Sequence, residues 1–376
     1  MRSKAFSRLA QRVRPRLVHH LAACLVITLL LGCSGAPRFV GSAGPPRPIV
    51  ESISLSRDGT RAAAVLSGPN RGRWGRQLIV LDLPRGRATT EPTDGLVISA
   101  AISPDGGRLA WAAKTNAVDK PQFLGTGIYM RDLAGGARRT LVPPLSSSDH
   151  IFLNDAGDAV QHNQSPVSRG ALHFSNDGAA IRYSRGQSFQ FDPSRIINFT
   201  LRSVDVASGR DVSRFPDMPP VVATSNGGAR RWVGDGTLIK ASTVFPFDRN
   251  PRPKLRPSIY ALDARGRLAW ELKVPFPGLP SDIWVQDIAG SADNESFVIN
   301  SGDAVYHVMG GVAKRIGEKE AWKMAAIERL ALSGDGRTLL VAGLAAKRSA
   351  GGASPLVRVN LNTLEWASVA LPGVGR

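Results

Sequence analysis

From residue 48 onward, short apolar runs are punctuated by turns built on one signature. Ser56-Arg57-Asp58-Gly59, Ser103-Pro104-Asp105-Gly106 and Ser175-Asn176-Asp177-Gly178 carry it as Ser-x-Asp-Gly. Degenerate copies follow at Gly234-Asp235-Gly236, Ser291-Ala292-Asp293-Asn294 and Ser333-Gly334-Asp335-Gly336, with the aspartates 47, 72, 58, 58 and 42 residues apart. Asp-Gly between apolar runs predicts a tight hairpin turn, because one turn residue needs a positive φ. Asn294 replaces Gly in the fifth copy, and Asn tolerates that region next best. Before each turn lies a short strand such as Ile53-Ser54-Leu55-Ser56 or Leu330-Ala331-Leu332-Ser333, whose alternation of apolar and small residues suits an innermost strand crowded around an axis. After each turn comes a second strand: Ala62–Leu66, Leu109–Ala113, Ala180–Tyr183, Leu238–Ala241, Phe297–Asn300 and Leu339–Ala342.

A second signature follows about 24–28 residues after most turns. It is a β-rich run with a carboxylate near its end: LIVLDL at 78–83, IYMRDL at 128–133, LRSVDV at 201–206 and IYALDA at 259–264. LVRVNL at 356–361 has Asn in that place, and VYHVMG at 305–310 comes early and lacks the acid. A turn and a weaker fourth strand usually come next. Four strands per unit at these spacings predict an all-β fold, a six-bladed β-propeller of four-stranded antiparallel blades over residues 48–376. The paired motifs resemble the WD-like repeats of TolB-type six-bladed propellers, also found in prolyl-oligopeptidase-like enzymes. The resemblance implies the fold and leaves the activity open, since propellers host many activities. Two departures matter: there is no room for the amino-terminal domain of TolB, and no Gly-x-Ser-x-Gly nucleophile elbow or hydrolase domain.

The first residues change the compartment. Six Lys or Arg with no acid precede an apolar run, Leu21 to Leu31, that closes on Leu30-Leu31-Gly32-Cys33. Basic, apolar, small is the order of a secretory signal peptide. Eleven apolar residues make a helix of about 16 Å, too short for a hydrocarbon core of about 30 Å. Leu-Leu-Gly-Cys resembles a bacterial lipobox, which implies that residues 1–32 are removed and Cys33 is diacylated. Residues 33–47 then read as lipidated Cys and flexible tether, rich in Ser, Gly and Pro. TolB itself is soluble in the periplasm, so an anchor would be a further departure. Ser34 is not the Asp that retains such proteins at the inner membrane. The expected place is the outer membrane facing the periplasm, if the envelope is Gram-negative. With Cys24 in the removed segment, the mature chain has no thiol for a disulfide, for Cys-ligated zinc or for nucleophilic catalysis.

The formal charge is +18, and about +12 remains once the signal is removed. Arg outnumbers Lys 38 to 10 in an Ala- and Gly-rich chain, a pattern that GC-rich coding also produces. The long second-to-third connections of the six units hold thirteen basic and four acidic residues, which concentrates the excess on one end of the ring. Aromatics interleave with this charge, and Arg with aromatics is what recognition surfaces favour. The candidate partner-binding residues are Arg71, Arg73, Trp74, Arg76, Phe123, Phe189, Phe191, Phe245, Phe247, Arg249, Arg252, Lys254 and Arg256. An insertion from Pro143 to Arg169 holds His150–Leu153 and Ala159–His162 around Asn154-Asp155-Ala156-Gly157, which predicts an extra hairpin on the same end.

Candidate chemistry is sparse. His150, Asp155, Asp158 and His162 could converge on a divalent metal, but a calcium loop lacks its closing glutamate. His173 and His307 fall within strands and read as packed. The turn aspartates read as structural, as do Asp82, Asp132, Asp205 and Asp263, which are expected to hydrogen-bond turn backbone. No cofactor, metal or catalytic residue is expected. The expectation is a monomeric, non-catalytic scaffold whose basic end meets an envelope protein or an anionic glycan or lipid, with no nucleic acid. The alternatives are a channel enzyme of lyase, lactonase or quinoprotein type, and a sensor of saccharide or peptide.

Overall fold

The computed structural model describes residues 49–70, 73–116, 118, 124–145, 149–152, 172–188, 196–211, 230–233, 237–242, 258–262, 268–273, 277–280, 283, 285–293, 295–345 and 356–371. The chain divides into two compact units, Met1–Pro45 and Pro46–Arg376, and the first, with the expected signal and Cys33, lies outside the described residues.

Every element of the described residues is a strand, and the strands group in chain order into six antiparallel sheets of four. The first holds β1 (Ile49–Leu55), β2 (Arg61–Asn70), β3 (Arg73–Asp82) and β4 (Arg87–Glu91). The second holds β5 (Leu96–Ile102), β6 (Arg108–Asn116), β7 (Leu124–Asp132) and β8 (Arg139–Leu145). The third holds β9 (Asp149–Phe152), β10 (His173–Phe174), β11 (Ala180–Ser188) and β12 (Ile196–Asp205). The fourth holds β13 (Arg230–Val233), β14 (Thr237–Ser242), β15 (Ser258–Leu262) and β16 (Leu268–Lys273). The fifth holds β17 (Asp287–Gly290), β18 (Ser296–Asn300), β19 (Ala304–Met309) and β20 (Val312–Glu318). The sixth holds β21 (Met324–Leu332), β22 (Thr338–Ala345), β23 (Leu356–Asn360) and β24 (Trp366–Ser368). In all but the third, spatial order equals chain order, the meander of a propeller blade.

Both faces of a blade are buried, which explains the near-continuous apolar second strands. Ala62, Ala64 and Leu66 pack toward the sixth blade with Leu340 and Ala342, while Ala63 and Val65 pack toward the second with Val97 and Ala100. Small side chains there let neighbouring sheets approach closely. The first blade packs on the sixth through β1 and β21, and among the described residues no strand is exchanged between them. Closure therefore rests on the apolar seam, and on two bonds: Arg329 Nε to the Glu51 carbonyl at 3.1 Å and the Asp335 N–H to the Arg57 carbonyl at 2.9 Å.

The third blade departs from the pattern. Its β11 carries β12 on one edge and, on the other, two separate pieces in line. Phe174 pairs with Ile181 and His173 with Arg182, whereas Phe152 pairs with Ser184 and Asp149 with Gln187. Only Tyr183 stands between the two registers. The innermost strand is thus in two pieces, and the first of them, β9, belongs to the insertion. Of the expected hairpin, His150 to Phe152 pair with β11; its other arm, Ala159–His162, lies outside the described residues, as do Asp155 and Asp158.

Candidate functional site

The Ser-x-Asp-Gly turns build one end of the ring. In the first, the Ser56 hydroxyl donates to Asp58 Oδ1 at 2.7 Å, and that oxygen also accepts the Thr60 N–H at 3.0 Å. The Ser56 oxygen in turn accepts the Arg61 N–H at 3.0 Å. The same net recurs at Asp105, Asp177, Asp293 and Asp335. Gly59, Gly106, Gly178 and Gly336 sit at φ of 67–70°, the left-handed region that only Gly enters freely. The Ser103 hydroxyl first, then the Gly107 N–H, holds the Asp105 carboxyl below the usual carboxylate range, and Ser175 with Ala179 does the same for Asp177. At Asp58, burial pushes upward, but the bonds from Ser56 and Thr60 outweigh it. These aspartates are structural, as their spacing implied. Asp82, Asp205 and Asn360 likewise accept backbone N–H groups of the following turn, from Arg85, Ser208 and Asn362.

The turns also tie to one another. The Arg57 N–H donates to the Pro104 carbonyl at 2.9 Å, the Ala292 N–H to the Gly334 carbonyl at 2.9 Å, and Asn176 Nδ2 to the Ala292 carbonyl at 3.0 Å. The Asn176 bond joins the third blade's turn to the fifth's. Behind this ring the inner strands enclose a cavity of about 80 Å³. Its walls are apolar and polar in nearly equal measure, the apolar part from residues such as Leu55, Ile102, Leu172, Phe174 and Leu332. Polar groups reach it from Ser54, Arg57, His173 and Asn176. Among the described residues no three His, Cys, Asp or Glu side chains converge to hold a metal, and no helix is long and apolar enough to cross a membrane.

At the opposite end, where the second strands run into the third, a different chemistry appears. Arg76, from β3, donates Nη1 to the Val97 carbonyl of the second blade at 3.2 Å. Its Nη2 lies 3.9 Å from Glu51 Oε1, which also accepts the Ser67 hydroxyl at 2.8 Å. The Arg76 side chain is only 6% exposed. Beside Val97, Leu96 pairs directly with Lys114 of β6. Burial first, and then the Arg76 charge, pushes the Lys114 ammonium below its ordinary value, and among the described residues it has no carboxylate partner.

Neither a family model nor a curated protein sequence matches the chain. Solved propellers are similar at low identity. TolB from Acinetobacter baumannii shares 16% identity over 96% of this chain and 71% of TolB, with a TM-score of 0.47. The propeller domain of the trilobed protease from Pyrococcus furiosus, described as having an open velcro topology, shares 12% over 86% and 84%, with a TM-score of 0.44. Regucalcin from Agrobacterium tumefaciens, described as a calcium-binding protein, shares 15% over 81% and 85%, with a TM-score of 0.43. At these values the likenesses say nothing about function. The propeller assignment stands on the six sheets themselves.

Of the residues singled out from sequence, Arg76 is placed in full, turned inward between the first two blades. Arg73 and Trp74 are placed as backbone of β3, opposite Asn70 and Pro69. Arg71, Phe123, Phe189, Phe191, Phe245, Phe247, Arg249, Arg252, Lys254 and Arg256 lie outside the described residues. His173 and His307 fall on β10 and β19, within strands as expected. Glu51, Asp287 and Arg329 went unmarked. Asp287 is 1% exposed and accepts the Ile288 and Leu330 N–H groups, stitching the fifth blade to the sixth. The signal was present: in β1, β17 and β21, otherwise apolar, Ser or Gly, these three and Glu328 are the charged residues.

Proposed function

We propose that this chain is a lipid-anchored propeller of the bacterial cell envelope that binds a partner protein through its basic, aromatic-bearing loop end and catalyses nothing. The observation that carries the reading is topological. Because strands alternate direction, β2, β6, β11, β14, β18 and β22 all end opposite the Ser-x-Asp-Gly turns. The connections that leave them hold nine basic residues against four acidic ones, and four further basic residues, Arg73, Arg76, Lys114 and Arg185, lie at the strand ends beside them. A rim of net positive charge favours an anionic partner and speeds its encounter. Cys33 after Leu30-Leu31-Gly32 supplies the anchor in this reading, and two acyl chains suffice for stable attachment.

The test has two arms. Cys33→Ala should move the chain from the membrane fraction to the soluble fraction. A tagged full chain should recover a partner from envelope extract, and changing Arg249, Arg252, Lys254 and Arg256 to Gln should lose it. Undiminished recovery by that variant removes this loop from the contact. A second reading, a channel enzyme or a sensor of saccharide or peptide, has the axial cavity in its favour. Arrays of glycans and peptides, compared between wild type and His173→Leu, separate it from the scaffold.

A further inference from the structure

Lys114 is an anomaly. A half-buried ammonium ordinarily has a carboxylate within reach, because an uncompensated charge away from water is costly. Lys114 has none among the described residues, and the charge it senses is Arg76, of its own sign. Glu51, the carboxylate beside Arg76, also accepts the Ser67 hydroxyl and does not figure among the causes of the Lys114 shift. Its cross-strand partner Leu96 is 41% exposed, one of few large apolar side chains so open to water among the described residues. Direct cross-strand partners share a face, with Cβ atoms about 5 Å apart. The start of β5 is also held firmly. Gly95 has φ +78°, and a Cβ there would meet the Lys114 carbonyl oxygen at 2.1 Å, so only Gly lets the chain pass this close to β6.

We propose that Lys114, with Leu96 beside it and Arg76 behind it, forms a subsite at the loop end of the second blade for a carboxylate flanked by an apolar group, as an acidic peptide segment presents. The chemistry favours a carboxylate over a phosphate. The Arg76 side chain is 6% exposed, bonded to the Val97 carbonyl and turned toward Glu51, so what faces solvent is a single ammonium, a point charge without the bidentate donors that phosphate sites favour. The exposed Leu96 adds an apolar neighbour that inorganic phosphate could not use. The subsite deepens the scaffold reading and rests on it in one respect, that a protein partner brings the carboxylate.

The probes are acetate, a blocked glutamyl-leucine dipeptide and inorganic phosphate, each titrated against chloride at equal ionic strength with the full chain. The readout is thermal midpoint. The dipeptide should raise the midpoint of the wild type, acetate should raise it less and phosphate should match chloride. Lys114→Met should lower dipeptide affinity at least about tenfold, the loss of one hydrogen bond to a charged group, and Lys114→Arg should keep most of it. Without any anion, Lys114→Met should melt no lower than wild type, since it removes a charge that nothing compensates. The proposal is overturned if the wild type responds to the dipeptide no more than to chloride, if phosphate matches the dipeptide, if Lys114→Met responds as the wild type does, or if that variant melts well below wild type at low salt. If a captured partner is retained by a Lys114→Met variant that no longer takes the dipeptide, the scaffold stands and this subsite is not its contact.

Discussion

The two ends of the ring obey different rules. At the turn end, five described copies repeat one net of Ser hydroxyl, Asp carboxylate and backbone N–H, and each turn aspartate has its partners within the turn. At the loop end, the described part holds Arg76 and Lys114 around one carboxylate, and Lys114 is left uncompensated. Repetition with satisfied polar groups marks the end that builds the fold. In the proposed reading, variation with an unsatisfied charge marks the end where a partner would bind.

The largest expected effect is neither end's but the seam that lets both exist. Leu340 is fully buried between the sixth and first blades, where no strand exchange among the described residues holds the ring. Leu340→Ala should lower unfolding free energy in urea by about 2–5 kcal/mol. A loss below 1 kcal/mol would mean that the seam does not carry closure. Next, Ser103→Ala removes the acceptor of the Arg108 N–H and the donor to Asp105. It should cost about 1–3 kcal/mol, as leaving buried polar groups unpaired does. An equal loss from neutralising the loop quartet at 249–256 would erase the contrast between the ends.

Acidity sharpens the contrast further. Asp105 and Asp177 have folded values depressed below the ordinary 3.8. Their stabilisation is fully present above that value and is lost as pH falls through the lower folded values. His307 on β19 acts earlier. Burial, and then Lys314, depress it below 6.5, and its Nε2 is buried with no partner among the described residues. The unfolded chain therefore binds that proton more readily, and stability should begin to fall as pH drops below about 6.5. His307→Gln should remove this early part of a urea-midpoint profile and leave the steeper acid limb. The smallest effect belongs to the exposed pair of Arg85 with Asp82, 2.8 Å apart on a third-to-fourth turn and 67% and 25% exposed. Arg85→Ala should leave the melting midpoint within error, as surface pairs usually do.

The blades were legible in the sequence because each is local. Ser-x-Asp-Gly lies between its two strands, and LIVLDL or LVRVNL ends at its own turn, so pattern and pairing coincide. The third blade was not legible where pairing is distant. β9 and β10 are four and two residues long, separated by the insertion, and join only through the shared edge of β11. No local period announces that. Charge at the loop end was legible as composition, but not as geometry. Arg76 reads as one more loop cation, whereas its guanidinium reaches inward to Val97 of the next blade, and Glu51, which draws it, lies 25 positions earlier in the chain.

The most direct test of the division between ends is the salt-dependent affinity of a captured envelope partner for three forms of the full chain: wild type, the Gln quartet at Arg249, Arg252, Lys254 and Arg256, and Arg57→Ser at the turn end. The account predicts that the quartet loses affinity and flattens the salt dependence, while Arg57→Ser binds as the wild type does. Loss of binding in Arg57→Ser with an undiminished quartet would contradict it, and would place the contact over the axial cavity instead.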